Sequence, residues 1–300
     1  MNKPIRRGEA SPHRHVFTGQ ALREGLARLA FTLAACVCIL AVGLICLFLF
    51  VNGVPGMAKI GVLEFLSGQK WKPGNEVFGI LPFILGSVYV TAGALLVGVP
   101  AGLLTAIYMS YFASKRIVKI MRPAVSLLAG IPSVVYGFFG LVVIVPLVRE
   151  TLGGTGSCLL TASLLLGMMI LPTIITVSES ALNAVSSTYY EGALALGATH
   201  ERSVFHVLLP AAKSGVTAGV VLGMGRAIGE ATAVMMVAGN RTNMPKGLLK
   251  GVRTLTSNIV MEMGYASDLH REALIATAVV LFVFILAIYL LTSLLKRRSH

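Results

Sequence analysis

The chain has 300 residues, of which 56% are hydrophobic and only 12% are charged. About a quarter of the residues of an ordinary soluble domain are charged, so this composition excludes one. The 25 Lys and Arg against 12 Asp and Glu could suggest a nucleic-acid partner, but the basic residues cluster beside apolar stretches. The composition therefore predicts an integral membrane protein in contact with lipid, with no nucleic-acid partner.

Stretches without Asp, Glu, Lys or Arg predict the membrane spans, because about 20 apolar residues cross the hydrocarbon layer as a helix. Five such stretches are uninterrupted, and a sixth is broken only by Arg226 and Glu230. In chain order the predicted spans are Leu29–Ala58, Val77–Ser114, Pro123–Val148, Thr151–Ser178, Ser214–Asn240 and Ala273–Leu295. The predicted fold class is an all-α integral membrane protein of six transmembrane helices.

The distribution of charge predicts that both termini are cytoplasmic. Basic residues precede the first span, follow the second span and close the chain, as the positive-inside rule requires of cytoplasmic segments. The predicted organisation is a basic tail (1–28), a first transmembrane anchor (29–52), a core of five helices (77–295) that includes a polar segment (188–210), and a short cytoplasmic tail (296–300).

Prolines and glycines occur within several of the predicted spans. A proline removes a backbone hydrogen bond, so it bends or breaks a helix, and prolines fall in or near membrane-depth sequence at Pro82, Pro100, Pro132, Pro146 and Pro172. The stretch 130–140 combines three glycines with one of these prolines, which suits either a kinked packing helix or a pore wall. In the fifth span Gly215, Gly219 and Gly223 predict close approach of a neighbouring helix.

Arg226 and Glu230 are the charged residues within a predicted span. A helix that starts near Lys213 places Arg226 about 20 Å along its axis, near the middle of the membrane. An arginine there costs about 2.5–3.5 kcal/mol by insertion scales, so it must face protein or water. Glu230 is one turn further on, and two interpretations follow. The two residues form an ion pair that fixes helix packing, or Arg226 contacts an oxyanion in a translocation path and Glu230 limits its affinity.

The polar segment 188–210 lies between the fourth and fifth spans. Thr188 and Glu191 have the spacing of a capping box, which predicts a helix start. We expect this helix to end at Gly197 in a left-handed conformation. Thr199 can then cap a second short helix that ends before a proline, Pro210.

The sequence lacks the usual patterns of an enzyme. It contains no G-x-x-x-x-G-K-[ST] loop, and the spacing of His200, Glu201 and His206 does not fit H-E-x-x-H. The cysteines, Cys36, Cys38, Cys46 and Cys158, do not complete a metal site. We expect no catalytic residue, no metal and no cofactor.

The polar segment resembles the coupling segment of bacterial ABC importer permeases. The resemblance is carried by Glu191, Ala193, Gly197, Val207, Leu209 and Pro210, which match the pattern E-A-A, three residues, G, nine residues, I, one residue, L-P. The sequence departs from that pattern at Gly192, where alanine is expected, and at Val207, where isoleucine is expected. The resemblance implies that the chain has the methionine-importer (MetI-like) permease fold and that residues 188–210 dock an ATPase.

Three further stretches are similar to phosphate-specific importer permeases of the PstC type. They are Gly130–Leu141, Phe78–Tyr111 and Gly225–Val234, with Arg253–Thr256 in addition. Gly225–Val234 points to phosphate and to PstC rather than to its sister subunit. The resemblance covers roughly residues 30–295 and places Arg226 and Glu230 at the family's intramembrane charges.

The resemblance implies a transport subunit without enzymatic activity. Its partners would be a second permease of the PstA type, two ATP-binding subunits of the PstB type and a phosphate-binding protein of the PstS type. Rival interpretations are a permease for sulfate, molybdate or phosphonate, an ion-coupled secondary transporter, and a membrane scaffold or sensor without a pore. Inverted repeats with paired broken helices would favour the secondary transporter, and the sequence shows none.

Overall fold

The computed structural model describes residues 17–298, and it describes side chains over residues 23–294. The chain divides into two compact units, residues 1–50 and 51–300. Most of the predicted basic tail (1–16) and the last two residues of the predicted C-terminal tail (299–300) lie outside the described residues.

The first helix, α1, runs from Phe17 to Ile60. It begins before the predicted start of the first span at Leu29, and it continues past the predicted ends at Asn52 and Ala58. Side chains 23–45 are all exposed, so this part of the helix has no covering element within its own unit, and from residue 29 onward it carries no charged side chain. Such a surface suits lipid or another membrane helix.

The second unit contains the remaining elements. After α1 they are α2 (Val62–Ser67), the strands β1 (Trp71–Lys72) and β2 (Val77–Phe78), α3 (Leu81–Ile107), α4 (Lys115–Gly130), α5 (Ser133–Phe139), α6 (Val145–Leu152) and α7 (Leu159–Asn183). They continue with α8 (Ser187–Ala195), α9 (His200–Ser203), α10 (Leu209–Ala211), α11 (Lys213–Gly229), α12 (Thr232–Val237), α13 (Leu255–Glu262) and α14 (Asp268–Arg298). The strands pair antiparallel, with Trp71 opposite Phe78.

Five described helices are long and apolar enough to cross a membrane, and a bent pair raises the number to six. The five are Arg23–Ile60, Leu81–Phe112, Ser133–Leu152, Leu159–Asn183 and Asp268–Leu294, and the pair is His200–Ala211 with Lys213–Gly229. The predicted all-α fold with six spans is therefore confirmed, whereas the boundaries of the third and fifth spans are wrong.

The third span runs from Ser133 to Leu152 instead of from Pro123 to Val148, because a break separates it from helix α4. Helix α4 ends at Gly130, and α5 begins at Ser133 with Pro132 as its N-cap. Both pieces pack along α7, since Val125 of α4 shares a buried cluster with Ile175 and Tyr136 of α5 lies in the main core. Pro132 has no N–H to continue the helix, and the residue before a proline disfavours helical geometry, so the break occurs there.

The fifth span ends earlier than Asn240. Helix α11 stops at Gly229, Glu230 is extended (φ −73°, ψ 121°), and the short helix α12 begins at Thr232. No helix is described between Val237 and Leu255. The span is therefore a helix of 17 residues followed by a separate short helix.

Helix α7 is the centre of the unit, with α3 and α11 packed along it. The predicted close approach at the glycines of α11 is confirmed. A Cβ added at Gly215 would lie 2.4 Å from the Ala181 Cβ, and one at Gly223 would lie 3.0 Å from Ile174. Each glycine faces α7, so its missing side chain permits the close contact.

Candidate functional site

Helix α8 opens the polar segment, for which the resemblance implies a coupling role, and Ser186 caps the helix. The Ser186 Oγ accepts a hydrogen bond from the Thr188 backbone N–H (3.3 Å) and donates one to the Thr188 Oγ1 (3.1 Å). The predicted capping box of Thr188 and Glu191 is therefore wrong, because the helix begins at Ser187 and a nearer hydroxyl takes the cap position. Glu191 lies within the helix with its side chain exposed.

The end of α8 at Gly197 is confirmed. Gly197 is left-handed (φ +83°), its N–H donates to the Leu194 carbonyl (2.9 Å), and the Ala198 N–H donates to the Ala193 carbonyl (3.1 Å). This pair of hydrogen bonds is the Schellman motif, which pairs carbonyls that the end of a helix leaves free. The helix therefore stops sharply and the chain reverses.

The second helix of the segment is capped by Thr199 as predicted, because its Oγ1 accepts from the Arg202 N–H (3.3 Å). This helix does not end before Pro210. It widens into a π-helical turn at Val204–Leu208 and continues to Ala211, where the axis bends by 70° into α11. The wide turn accommodates a proline that has no N–H to donate.

Part of the surface of the segment is formed by large apolar side chains. Leu196 is 92% exposed, and Tyr189, Leu194 and Phe205 are also exposed. Val204 and Leu208 point the other way, into a buried cluster with residues of α3 and α7. Of the remaining residues that carry the family pattern, Ala193 is buried, Val207 and Leu209 are half-buried, and Pro210 is exposed. The segment thus presents an apolar face outward while its other face holds it to the spans.

His200 anchors the segment to the end of α3. Its Nε2 lies 3.2 Å from the Tyr111 carbonyl, which can only accept, so the imidazole donates there. Its Nδ1 lies 2.9 Å from the Tyr190 hydroxyl, and in neutral histidine Nδ1 accepts that hydroxyl's proton. The sequence suggested no role for His200, since its partners are 10 and 89 residues away.

Arg226 lies in the last turn of α11 and is half-buried. Its Nη1 donates to the Thr173 Oγ1 of α7 (3.3 Å), and the Tyr136 phenol of α5 is within its electrostatic reach. Among the side chains described, 23–294, it forms no ion pair. The guanidinium is therefore positioned by a neutral hydroxyl, and its other donors are available to a ligand or water.

Glu230 is not on the same helix face as Arg226, because the helix ends between them. The Glu230 Oε1 accepts from the Ala233 N–H (3.1 Å) at the start of α12, and its carbonyl accepts from the Thr256 hydroxyl (3.0 Å). The ion pair that the spacing of four residues suggested is absent from the described side chains. Glu230 joins α11, α12 and α13 instead.

Glu262 is the centre of a buried network that sequence reasoning missed. It is 5% exposed, and it accepts from the Trp71 Nε1 (2.8 Å), from the Arg253 Nη1 (2.5 Å) and from the His270 Nε2 (2.8 Å). Burial raises the pKa of the nearby Tyr265 phenol, and the Glu262 charge raises that pKa further. No local pattern signals this network, since Trp71 and Glu262 are 191 residues apart.

Comparison with known proteins identifies relatives over most of the chain. Residues 98–300 match the family described as binding-protein-dependent transport system inner membrane component. The probable ABC transporter permease protein YqgH of Bacillus subtilis (strain 168) is 40% identical over 91% of this chain and 92% of its own length. The phosphate transport system permease protein PstC of Mesorhizobium japonicum is 31% identical over 88% of this chain and 86% of its own length.

Solved transporters have the same fold. A subunit of a bacterial alginate ABC transporter superimposes with a TM-score of 0.63 at 17% identity, covering 92% of this chain and 97% of that one. A chain of the inward-facing MetNI methionine ABC transporter gives 0.56 at 21% identity, covering 74% of this chain and 94% of that one. The second match agrees with the predicted MetI-like core.

Proposed function

This chain belongs to the family of binding-protein-dependent transport system inner membrane components, and we propose on that premise that it carries inorganic phosphate across the membrane. It is a multi-pass inner-membrane protein and an ABC importer permease, that is, a transport subunit. The choice of phosphate is supported by similarity to several permeases named PstC and by an intramembrane guanidinium that suits an oxyanion.

The single observation that carries the proposal is that Arg226 lies in a span without a carboxylate partner among the described side chains. A guanidinium in a span is unfavourable by about 2.5–3.5 kcal/mol unless protein or water solvates it. Thr173 supplies one hydrogen bond, and no described carboxylate neutralises the charge. The charge and the forked donors of arginine match phosphate oxygens. Arg226 therefore contacts the translocating anion in our proposal, and Glu230 shapes the path by holding α12 beside it.

The coupling segment transmits the work of ATP hydrolysis from partner chains. Its exposed apolar face, with Leu196 at the tip, is the docking surface for an ATPase of the PstB type, and Glu191, Ala193, Gly197, Val207, Leu209 and Pro210 shape that surface. The His200 contact to the Tyr111 carbonyl, in the turn that follows α3, makes the segment move with α3, and its contact to Tyr190 joins the two helices of the segment. Helix α11 then leads directly from the segment to Arg226.

The complete importer would contain this chain, a PstA-like second permease, two PstB-like ATPases and a PstS-like phosphate-binding protein. The binding protein delivers phosphate to the side opposite the coupling segment. ATP binding and hydrolysis then alternate the access of the path between the two permeases. The charge distribution predicts that the coupling segment is on the cytoplasmic side.

The test is phosphate uptake and ATPase activity of the reconstituted importer with Arg226→Ala and Arg226→Lys. We expect both variants to lose most uptake, because lysine keeps the charge but not the forked donors. Arg28→Ala, which changes an exposed arginine of α1, is the control and should transport normally. Full uptake by both Arg226 variants would remove Arg226 from the mechanism.

A second experiment tests which oxyanion is the substrate. Uptake of labelled phosphate is measured in the presence of excess sulfate, molybdate or phosphonate. We expect unlabelled phosphate alone to compete strongly. Strong competition by another of these anions would assign the permease to that oxyanion and leave the ABC importer class intact.

A further inference from the structure

A basic cleft lies beside the coupling segment, outside the path of Arg226. It has a volume of about 720 Å³ and is formed between the π-helical turn Tyr108–Phe112 and helix α4. Its lining includes the side chains of Lys115, Lys119 and Arg122. These three cations are spaced i, i+4 and i+7, so they lie on one face of α4.

Only one of the three cations of the cleft has a carboxylate partner among the side chains described, 23–294. Arg122 pairs with Glu179 of α7 (2.5 Å) and remains 61% exposed. Lys115 and Lys119 have no carboxylate partner among the ion pairs found over residues 23–294. Like charges at i and i+4 destabilise a helix, so this arrangement needs a compensating group.

The position of the lysines on α4 strengthens the local positive potential. The first turn of this 16-residue helix contains Lys115 and no acidic residue. The exposed backbone N–H groups at a helix N-terminus carry a partial positive charge, which acids normally complement. Here Lys115 occupies that turn and faces the cleft, which is unfavourable for the isolated helix and favourable for a bound anion.

The other wall of the cleft contains an unpaired polar atom. The Ser110 Oγ is shielded from solvent, lines the cleft and has no hydrogen-bond partner among the described residues. Ser110 is part of a π-helical turn, a distortion found frequently at functional sites. The next two residues of that turn, Tyr111 and Phe112, contact His200 of the coupling segment.

We infer that this cleft binds a phosphate group, either free inorganic phosphate or the headgroup of an anionic phospholipid. Lys115 and Lys119 supply the charge, and Arg122 donates from the part of its guanidinium that Glu179 does not use. A ligand here lies against the turn that holds the coupling segment, so its binding stabilises one position of that segment. The inference does not depend on which substrate the importer carries.

The experiment uses the purified full chain in neutral detergent and measures its unfolding midpoint against ligand concentration. The lipid probe is phosphatidylglycerol, compared with phosphatidylcholine of the same acyl chains. The free-ion probe is sodium phosphate, compared with sodium chloride at equal ionic strength. We expect Lys119→Gln and Lys115→Gln each to lower the affinity for the anionic probe about fivefold. This corresponds to about 1 kcal/mol for each basic residue at a membrane surface.

Arg116→Gln is the matched control, since it removes one charge from the same exposed turn but does not line the cleft. It should leave the affinity within twofold of wild type. If phosphatidylglycerol alone raises the unfolding midpoint in a lysine-dependent way, the cleft is a lipid headgroup site. If inorganic phosphate also raises the midpoint in a lysine-dependent way, the cleft is a free-ion site. Equal losses in Arg116→Gln, or no lysine-dependent response to either probe, would overturn the inference.

Discussion

Glu230 follows Arg226 by four positions in the sequence, yet its carboxylate caps helix α12 at the Ala233 N–H and forms no ion pair with Arg226. The cause is the end of α11 at Gly229, which turns Glu230 out of the helical path. Thr173 orients the Arg226 guanidinium through a hydrogen bond. The two charges of the fifth span therefore have separate roles: one is available to an anion, and the other holds a helix junction.

The first prediction separates the capping role of Glu230 from its charge. Glu230→Gln keeps an oxygen that can accept from the Ala233 N–H, so the free energy of unfolding should change by less than about 0.5 kcal/mol. Glu230→Ala removes that acceptor and should destabilise by about 1 kcal/mol. Thermal unfolding of the purified variants measures the difference. Equal destabilisation by both variants would mean that the charge, and not the cap, is what matters.

The second prediction concerns Thr173 as a positioning residue for Arg226. Thr173→Val keeps the shape and removes the hydroxyl that accepts from the guanidinium. A hydrogen bond to a charged group contributes about 1.5 kcal/mol or more, so maximal phosphate uptake should fall about tenfold while the chain stays folded. Thr105→Val is the control, because within the described part of the chain the Thr105 hydroxyl bonds to the Ala101 carbonyl of its own helix. An equal fall in the control would argue against positioning.

The third prediction compares two glycines of the coupling segment. Gly192 lies inside α8 with open space around it, so Gly192→Ala should stabilise by about 0.5–1 kcal/mol. Gly197 also has open space, but its φ is +83°, so Gly197→Ala should destabilise by about 1–2 kcal/mol through backbone strain alone. Hydrogen exchange of the α8 amides measures both effects. A stabilising Gly197→Ala would contradict the left-handed end of the helix.

The fourth prediction tests the docking face. Leu196→Asp should sharply reduce co-purification of the ATPase, because a charge replaces an apolar tip that is exposed in this chain. Its unfolding midpoint should stay near that of wild type. Leu248→Asp, at another exposed leucine in the loop after α12, should retain the ATPase. Retention of the ATPase by Leu196→Asp would exclude Leu196 from the interface.

The fifth prediction addresses the buried network around Glu262. Glu262→Ala leaves the Arg253 guanidinium without its carboxylate in a buried setting and should destabilise by about 3–5 kcal/mol. Glu150→Ala, at an exposed glutamate, should change stability by less than about 0.5 kcal/mol. Chemical denaturation of both variants provides the comparison. A mild effect of Glu262→Ala would show that water solvates Arg253 in its place.

Several features of the site were predictable because their causes are local. The left-handed turn at Gly197 and the Thr199 cap depend on residues within a few positions of one another, so the sequence alone predicts both. The same local reasoning chose the wrong cap at the start of α8. Ser186, Thr188 and Glu191 all offer capping oxygens, and the backbone geometry of the preceding turn selected Ser186.

The sequence by itself determined the class of this protein, the number of its membrane spans and the position of the polar segment 188–210. Long apolar runs must cross the bilayer as helices because no water satisfies the backbone there. Only the tertiary structure decided where the third span begins and the fifth ends, why Arg226 bonds to a hydroxyl and to no carboxylate among the described side chains, and how Glu262 joins Trp71 to His270. Those outcomes depend on contacts between residues far apart in the chain, such as Arg226 with Thr173 and Trp71 with Glu262, and no local spacing encodes them.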